Sequence, residues 1–119
     1  MIPLKEVIFE LNTIQYNELS QKLLDTKAEK FSVLLSISRE NNLPDKQVMQ
    51  KLEVNESAFY ALKSRLYDKI QEYLLDHFHL NDPSLNNSTS IADLLYSTPK
   101  YIAISALTKL ESILKEKDL

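Results

Sequence analysis

Not one of the 119 residues is glycine. At average usage of about 7%, roughly eight would be expected. Glycine is the default wherever the backbone must turn through positive φ. Its absence makes a phosphate-cradling loop, a nucleophile elbow or a type I′ hairpin turn hard to build. Helix remains easy. A helix end that needs a left-handed residue can use asparagine instead, and Asn41-Asn42, Asn55, Asn81 and Asn86-Asn87 are spaced as such stops. Helices joined by short Asn-containing turns are the expected result.

The longest helical pattern covers residues 57–78, without Gly or Pro. Phe59, Leu62, Leu66, Ile70, Tyr73 and His77 recur at steps of three and four, the stripe of a core-facing helix. At 1.5 Å per residue it spans roughly 33 Å, about the diameter of a small domain. Its first half is expected to pack under the N-terminal helices and its second half under the C-terminal ones.

Residues 3–13 carry Leu4, Val7, Ile8 and Leu11 in helical spacing, with Pro3 suited to a first turn. Val7-Ile8-Phe9 would also suit a short strand, but no second strand-like run exists to pair with it, which favours helix. The next helix covers 16–24, with Leu19, Leu23 and Leu24 on one face. Thr26 and Glu29 have capping-box spacing ahead of a helix over 27–41. Phe31, Val33, Leu34, Leu35 and Ile37 cover most of that helix, predicting a central position. Pro44 and Asp45 suit the first turn of a short helix over 45–52 that turns Val48, Met49 and Leu52 inward. Asn55 or Ser57 can then cap the long helix. Residues 79–89 are a run of turn formers and read as a linker. Ser90 and Asp93 repeat the capping-box spacing before a helix over 91–96. Thr98-Pro99 opens the last helix, 100–117, with Ala103, Ala106, Leu107, Leu110, Ile113 and Leu114 as its apolar face. The chain thus reads as one all-α domain over 1–119, a helical bundle of six or seven helices around one long central helix. Within it, 1–80 and a C-terminal hairpin over 90–119 are joined by the linker at 81–89. The last helix carries no stop signal, as expected for a frayed terminus or for the N-terminal fragment of a longer helical protein.

Apolar content of 44% with 26% charged residues is globular. No apolar run approaches the roughly 18 residues of a membrane span. MIPLKEVIFELN mixes acids with its apolar residues, unlike a signal or transit peptide. With no cysteine there is no disulfide framework and no thiolate chemistry, so a cytoplasmic location is expected. Net charge is −3, but unevenly spread. Residues 46–70 hold five basic and three acidic side chains, whereas 71–99 hold four acids and no Lys or Arg.

Val48, Leu52, Val54, Phe59 and Leu62 hold the apolar places around the turn between 45–52 and the long helix. On these residues, segment 45–66 resembles the helix-turn-helix family, including region 4 of bacterial sigma factors. Two places depart from that pattern. Met49 stands where a small residue is expected, and Glu53 stands where the turn has glycine. A Glu there must take a left-handed conformation at some cost, or the turn must differ. The resemblance implies DNA binding. Asn55, Glu56, Ser57, Ala58, Tyr60 and Ala61 would face base edges, with Ser64 on the same face, while Lys46, Lys51, Lys63, Arg65 and Lys69 would bind phosphates.

Leu94, Leu95, Tyr96, Tyr101, Ala103, Ala106, Leu107 and Leu110 give segment 91–114 a second resemblance, to one tetratricopeptide-type hairpin. A single such repeat normally stacks on neighbours, which implies a longer helical protein or a homo-oligomer.

Catalytic signals are poor. His77 and His79, two residues apart, point to different sides of a helix, so no metal site is proposed. They could converge only if the helix ended between them. Glu72 and Asp76 are most simply two solvated acids. No cofactor or small-molecule substrate is evident. The expected function is a non-enzymatic protein–protein interaction module, with a protein partner or a second copy bound through helix faces. Tyr60, Tyr67, Tyr96 and Tyr101 are its candidate interface residues. The alternative is a DNA-binding helix-turn-helix transcriptional regulator using residues 45–69.

Overall fold

The computed structural model describes residues 4–26, 29–40, 43–80 and 87–117. Among them are seven α-helices and no strand: α1 (Leu4–Glu10), α2 (Thr13–Asp25), α3 (Glu29–Glu40), α4 (Asp45–Leu52), α5 (Glu56–His77), α6 (Asn87–Ser97) and α7 (Lys100–Lys117). The all-α bundle expected from the sequence is what forms. α5, with 22 residues, is its longest helix. Val7, Ile8 and Phe9 are helical, so the strand alternative falls.

Local chemistry sets the boundaries. α2 starts three residues earlier than its apolar stripe because Asn12 and Gln15 form a reciprocal capping box. The Gln15 amide donates to Asn12 Oδ1 at 2.8 Å, and the Asn12 amide donates to Gln15 Oε1 at 2.9 Å. Thr26, expected to open the third helix, instead closes α2, with its hydroxyl donating to the Leu23 carbonyl. Asn55, one of two expected caps, is the one used, accepting from the Ala58 amide at 2.8 Å. α6 begins at Asn87, so residues 87–89, expected in a linker, are helical and Ser90 lies inside the helix.

The left-handed positions go to unexpected residues. Among the described residues they are Glu53 and His79, with φ of 56° and 57°. Each sits in a Schellman motif. After α4, the amides of Glu53 and Val54 donate to the carbonyls of Gln50 and Met49 at 3.2 and 3.1 Å. After α5, the amides of His79 and Leu80 donate to Asp76 and Leu75 at 3.1 and 2.9 Å. Among the described residues, then, no asparagine serves as the left-handed stop. Asn12 and Asn55 cap helix starts and Asn87 begins α6, while Asn41, Asn42, Asn81 and Asn86 lie outside the described residues. The apolar residue just after each left-handed position explains the choice. Leu80 and Leu75 are both buried, and Val54 and Met49 are half-buried against the same core. Apolar contact across the motif offsets the cost of a Cβ in the left-handed region, about 1–2 kcal/mol.

α3 lies at the centre, packing on α1, α2, α4 and α5. α5 pairs with α7, and α1 bridges α3 and α7. The two halves of α5 are therefore less separate than the sequence suggests. Its middle meets α7, and Tyr73, towards its C-terminal end, returns to α2 by donating to Glu18 Oε2 at 2.9 Å. One hydrophobic core draws on every helix: Ile8, Leu19, Leu35, Val48, Leu66, Leu94 and Ile102 are all buried in it. Each such side chain contributes about 1.5–3 kcal/mol when fully buried.

The first turn of α7 is capped from a distance. Thr98 and Pro99 are the local start signal, yet the amides of Tyr101 and Ile102 donate to Glu10 Oε1 at 2.7 and 3.1 Å. The C-terminal hairpin is thereby joined to α1. No helix among the described residues is long and apolar enough to cross a membrane.

Candidate functional site

The helix-turn-helix-like unit consists of α4, the link Glu53-Val54-Asn55 and α5, resting on α3. Glu53 takes the left-handed conformation, the first of the two outcomes expected at that position. Val48, Leu52 and Phe59 are buried beneath it, and Met49, Val54 and Leu62 are half-buried against the same core. Asn55, Glu56, Ser57, Ala58, Tyr60, Ala61 and Ser64 are exposed or half-buried at the surface. The N-terminal half of α5 is therefore open along the face that the sequence assigns to base edges.

The five basic residues do not gather there. Lys46 and Lys51 are exposed on α4. Lys63 and Arg65, two apart, lie about 160° from each other around the helix. The Lys63 ammonium sits over the Phe59 and Tyr60 rings, 5.0 and 5.3 Å from their centroids. Arg65 lies on the other flank with Lys69, whose ammonium is 5.4 Å from the centroid of Phe31 on α3. Asp68 and Glu72 share that flank's surface cleft with Ser64, Arg65 and Lys69. Asp68 is also engaged by Lys109 Nζ at 2.6 Å, which holds the Lys109 ammonium above its ordinary pKa. The face is mixed in charge rather than uniformly basic.

The four candidate interface tyrosines divide into two pairs. Tyr67 and Tyr101 turn inward. Tyr67 Oη lies 3.1 Å from Ser105 Oγ, and that hydroxyl donates to the Tyr101 carbonyl at 2.7 Å. Tyr60 and Tyr96 face out, 55% and 90% exposed. Leu95, next to Tyr96 in the chain, is 62% exposed, and Phe9 of α1 is 72% exposed. Phe9 and Leu95 were not among the interface candidates: Phe9 entered the sequence reading only in the strand alternative, and Leu95 only among the residues of the tetratricopeptide resemblance. Of the residues that carry the tetratricopeptide resemblance, Leu94, Ala103 and Ala106 are buried in this domain's own core. α7 packs against α5 and α1.

α5 ends at His77, so His77 and His79 do come to one shallow cleft, with Glu18, Lys22, Tyr73 and Asp76. Burial and then the Glu18 hydrogen bond push the Tyr73 hydroxyl well above its ordinary pKa. His77 Nδ1 is 3.4 Å from the same hydroxyl, and Lys22 pairs with Asp76 at 3.5 Å. The second carboxylate of the sequence pair, Glu72, is exposed on α5. Among the described residues no group of three or more His, Cys, Asp or Glu is arranged to hold a metal ion.

No protein-family model, curated protein or solved structure matches this chain.

Proposed function

We propose that the chain is a non-enzymatic helical module that binds a protein partner through the apolar side chains left exposed on α6 and α1. The observation that carries this reading is the exposure of Tyr96 and Leu95 on α6 and of Phe9 on α1. Large apolar side chains left in solvent favour an interface, and a tyrosine with a polar tip is well suited to be its anchor. Burial of these side chains against a partner helix supplies the binding energy, and the fixed α1–α7 cap limits the ordering cost. A photo-crosslinking amino acid at position 96, compared with one at exposed Glu111, tests this in cells. A discrete adduct at 96 that is absent at 111 and lost on Leu95→Ser is expected. Absence of adducts at 9, 95 and 96 would remove the reading.

A second reading is a DNA-binding regulator. It is favoured by the open N-terminal half of α5 beyond a turn of helix-turn-helix form. Fluorescence anisotropy of a labelled random duplex, at low salt and at about 0.2 M, tests it. Such domains retain non-specific affinities of about 10⁻⁴ to 10⁻⁶ M with a steep salt slope. Flat anisotropy at low salt would exclude it. The mixed charge of the α5 surface ranks this reading second.

A further inference from the structure

A cavity of about 260 Å³ lies where α1, α3, α4 and α5 meet, with no residue of α6 in its lining. Its walls are Leu4, Leu34, Ile37, Leu43, Val48 and Phe59, and its polar lining is Lys5, Ser38, Asp45 and Lys63. Interiors are ordinarily packed with few voids larger than a water molecule. An apolar cavity of about 150 Å³ accommodates benzene, so this one has room for a ring bearing a short chain. Concave, mainly apolar sites with a few convergent polar groups are the usual form of small-ligand sites.

We propose that this cavity binds a small aromatic carboxylate, with the ring among the apolar walls and the carboxylate at Lys5 and Lys63. The charges at the lining select the sign. The Lys5 ammonium donates to the Leu43 carbonyl, at 3.3 Å. The Lys63 ammonium rests over Phe59, itself a wall of the cavity. Among the described residues neither forms an ion pair. Asp45 is the single opposing charge, and it occupies the first turn of α4, where the positive end of the helix dipole favours it. An entering carboxylate meets two ammonium groups. An entering amine meets the same two, with one carboxylate already favourably placed. A ring suits the space because Phe59 offers it an aromatic neighbour.

The test is an amide-shift titration of the whole chain with three probes of one shape: 3-phenylpropionate, 3-phenylpropan-1-ol and 3-phenylpropylamine. Saturable shifts at Leu34, Ile37, Val48 and Phe59 are expected with the carboxylate, bound at least about fivefold more tightly than the alcohol or the amine. Lys5→Met with Lys63→Met keeps the stems and should erase that preference. Ile37→Phe should fill the cavity and abolish binding. Leu43→Phe, at a half-buried position outside the helices, does the same with less risk to the core. No saturable shift with any probe, equal binding of all three, or binding that survives both filling variants would overturn the proposal.

Discussion

Arg39 of α3 donates to the carbonyl oxygen of Ile8, near the end of α1, at 2.7 Å. The same Nη1 also donates to the carbonyls of Phe9 and Leu11, and the guanidinium lies 5.0 Å from the centroid of Tyr16. The last carbonyls of a helix have no partner within it, so one cation closes α1 and fixes the path into α2. Hydrogen bonds to a charged group contribute about 1.5–3 kcal/mol. Arg39→Met, which keeps much of the stem, should destabilise by about 2 kcal/mol or more. The urea midpoint should fall with little change in m value. A loss under about 0.5 kcal/mol would show that the three carbonyls find equivalent partners without it.

Glu10 supplies the cap of α7, so its replacement should act on residues some 90 positions away. Loss of a helix N-cap costs about 0.5–2 kcal/mol, and Glu10→Ala should fall in that range. Hydrogen exchange locates the effect. The amides of Tyr101 and Ile102 should lose protection in Glu10→Ala and lose less in Glu10→Gln, which keeps an acceptor oxygen. Unchanged protection at both amides would deny the cap its role.

Glu53→Gly and His79→Gly should each stabilise the fold or leave it unchanged. Removing a Cβ from the left-handed region relieves about 1–2 kcal/mol, while glycine adds unfolded-state entropy worth about 0.5–1 kcal/mol. The net gain should be at most about 1.5 kcal/mol per site. Glu53→Val should lose stability, since a β-branched residue is poorly tolerated at positive φ. Thermal unfolding of the three variants decides the matter, and a clear loss in both glycine variants would show that the side chains themselves support their turns.

These turns also show where the sequence is legible. Helix identity came from the spacing of apolar residues, and α4 and α7 fall on the expected boundaries because Pro44 and Pro99 mark their starts. The left-handed stops could not be read this way, because Glu53 has no local preference for positive φ, and the burial of residues such as Leu75 and Leu80 beside His79 is a property of the packed core. The start of α2 was encoded in Asn12 and Gln15, ahead of the apolar stripe used to find it. The cap of α7 was not encoded locally at all, since Glu10 reaches it only once α1 packs beside α7. At the candidate sites, Tyr67 and Tyr96 look alike in sequence. Only the place of Ser105 turns one inward and leaves the other in solvent.

Tyr73 makes stability depend on alkaline pH. Burial and Glu18 raise its hydroxyl pKa above the ordinary value near 10. The folded state therefore keeps a proton that the unfolded chain releases. The associated stability is fully present below about pH 10 and is lost as pH rises above it. Urea unfolding at pH 8, 10 and 11 should show that decline, and Tyr73→Phe should flatten it while costing about 1 kcal/mol at pH 8 for the lost hydrogen bond. Parallel declines in the two proteins would assign the alkaline loss to other groups.

The Glu10 cap has a further consequence, one of timing. Translation proceeds at roughly 5–20 residues per second, and chains fold while they are made. Glu10 therefore leaves the ribosome about 5 to 20 seconds before the two amides it will hold, 91 and 92 residues later. From the emergence of α3 until that of α7, α1 can dock on α3 with the flank that α7 will cover still bare. The nascent chain thus carries its own short-lived sticky edge, and ribosome-bound intermediates stalled before α7 emerges are the species most exposed to chaperones and to one another.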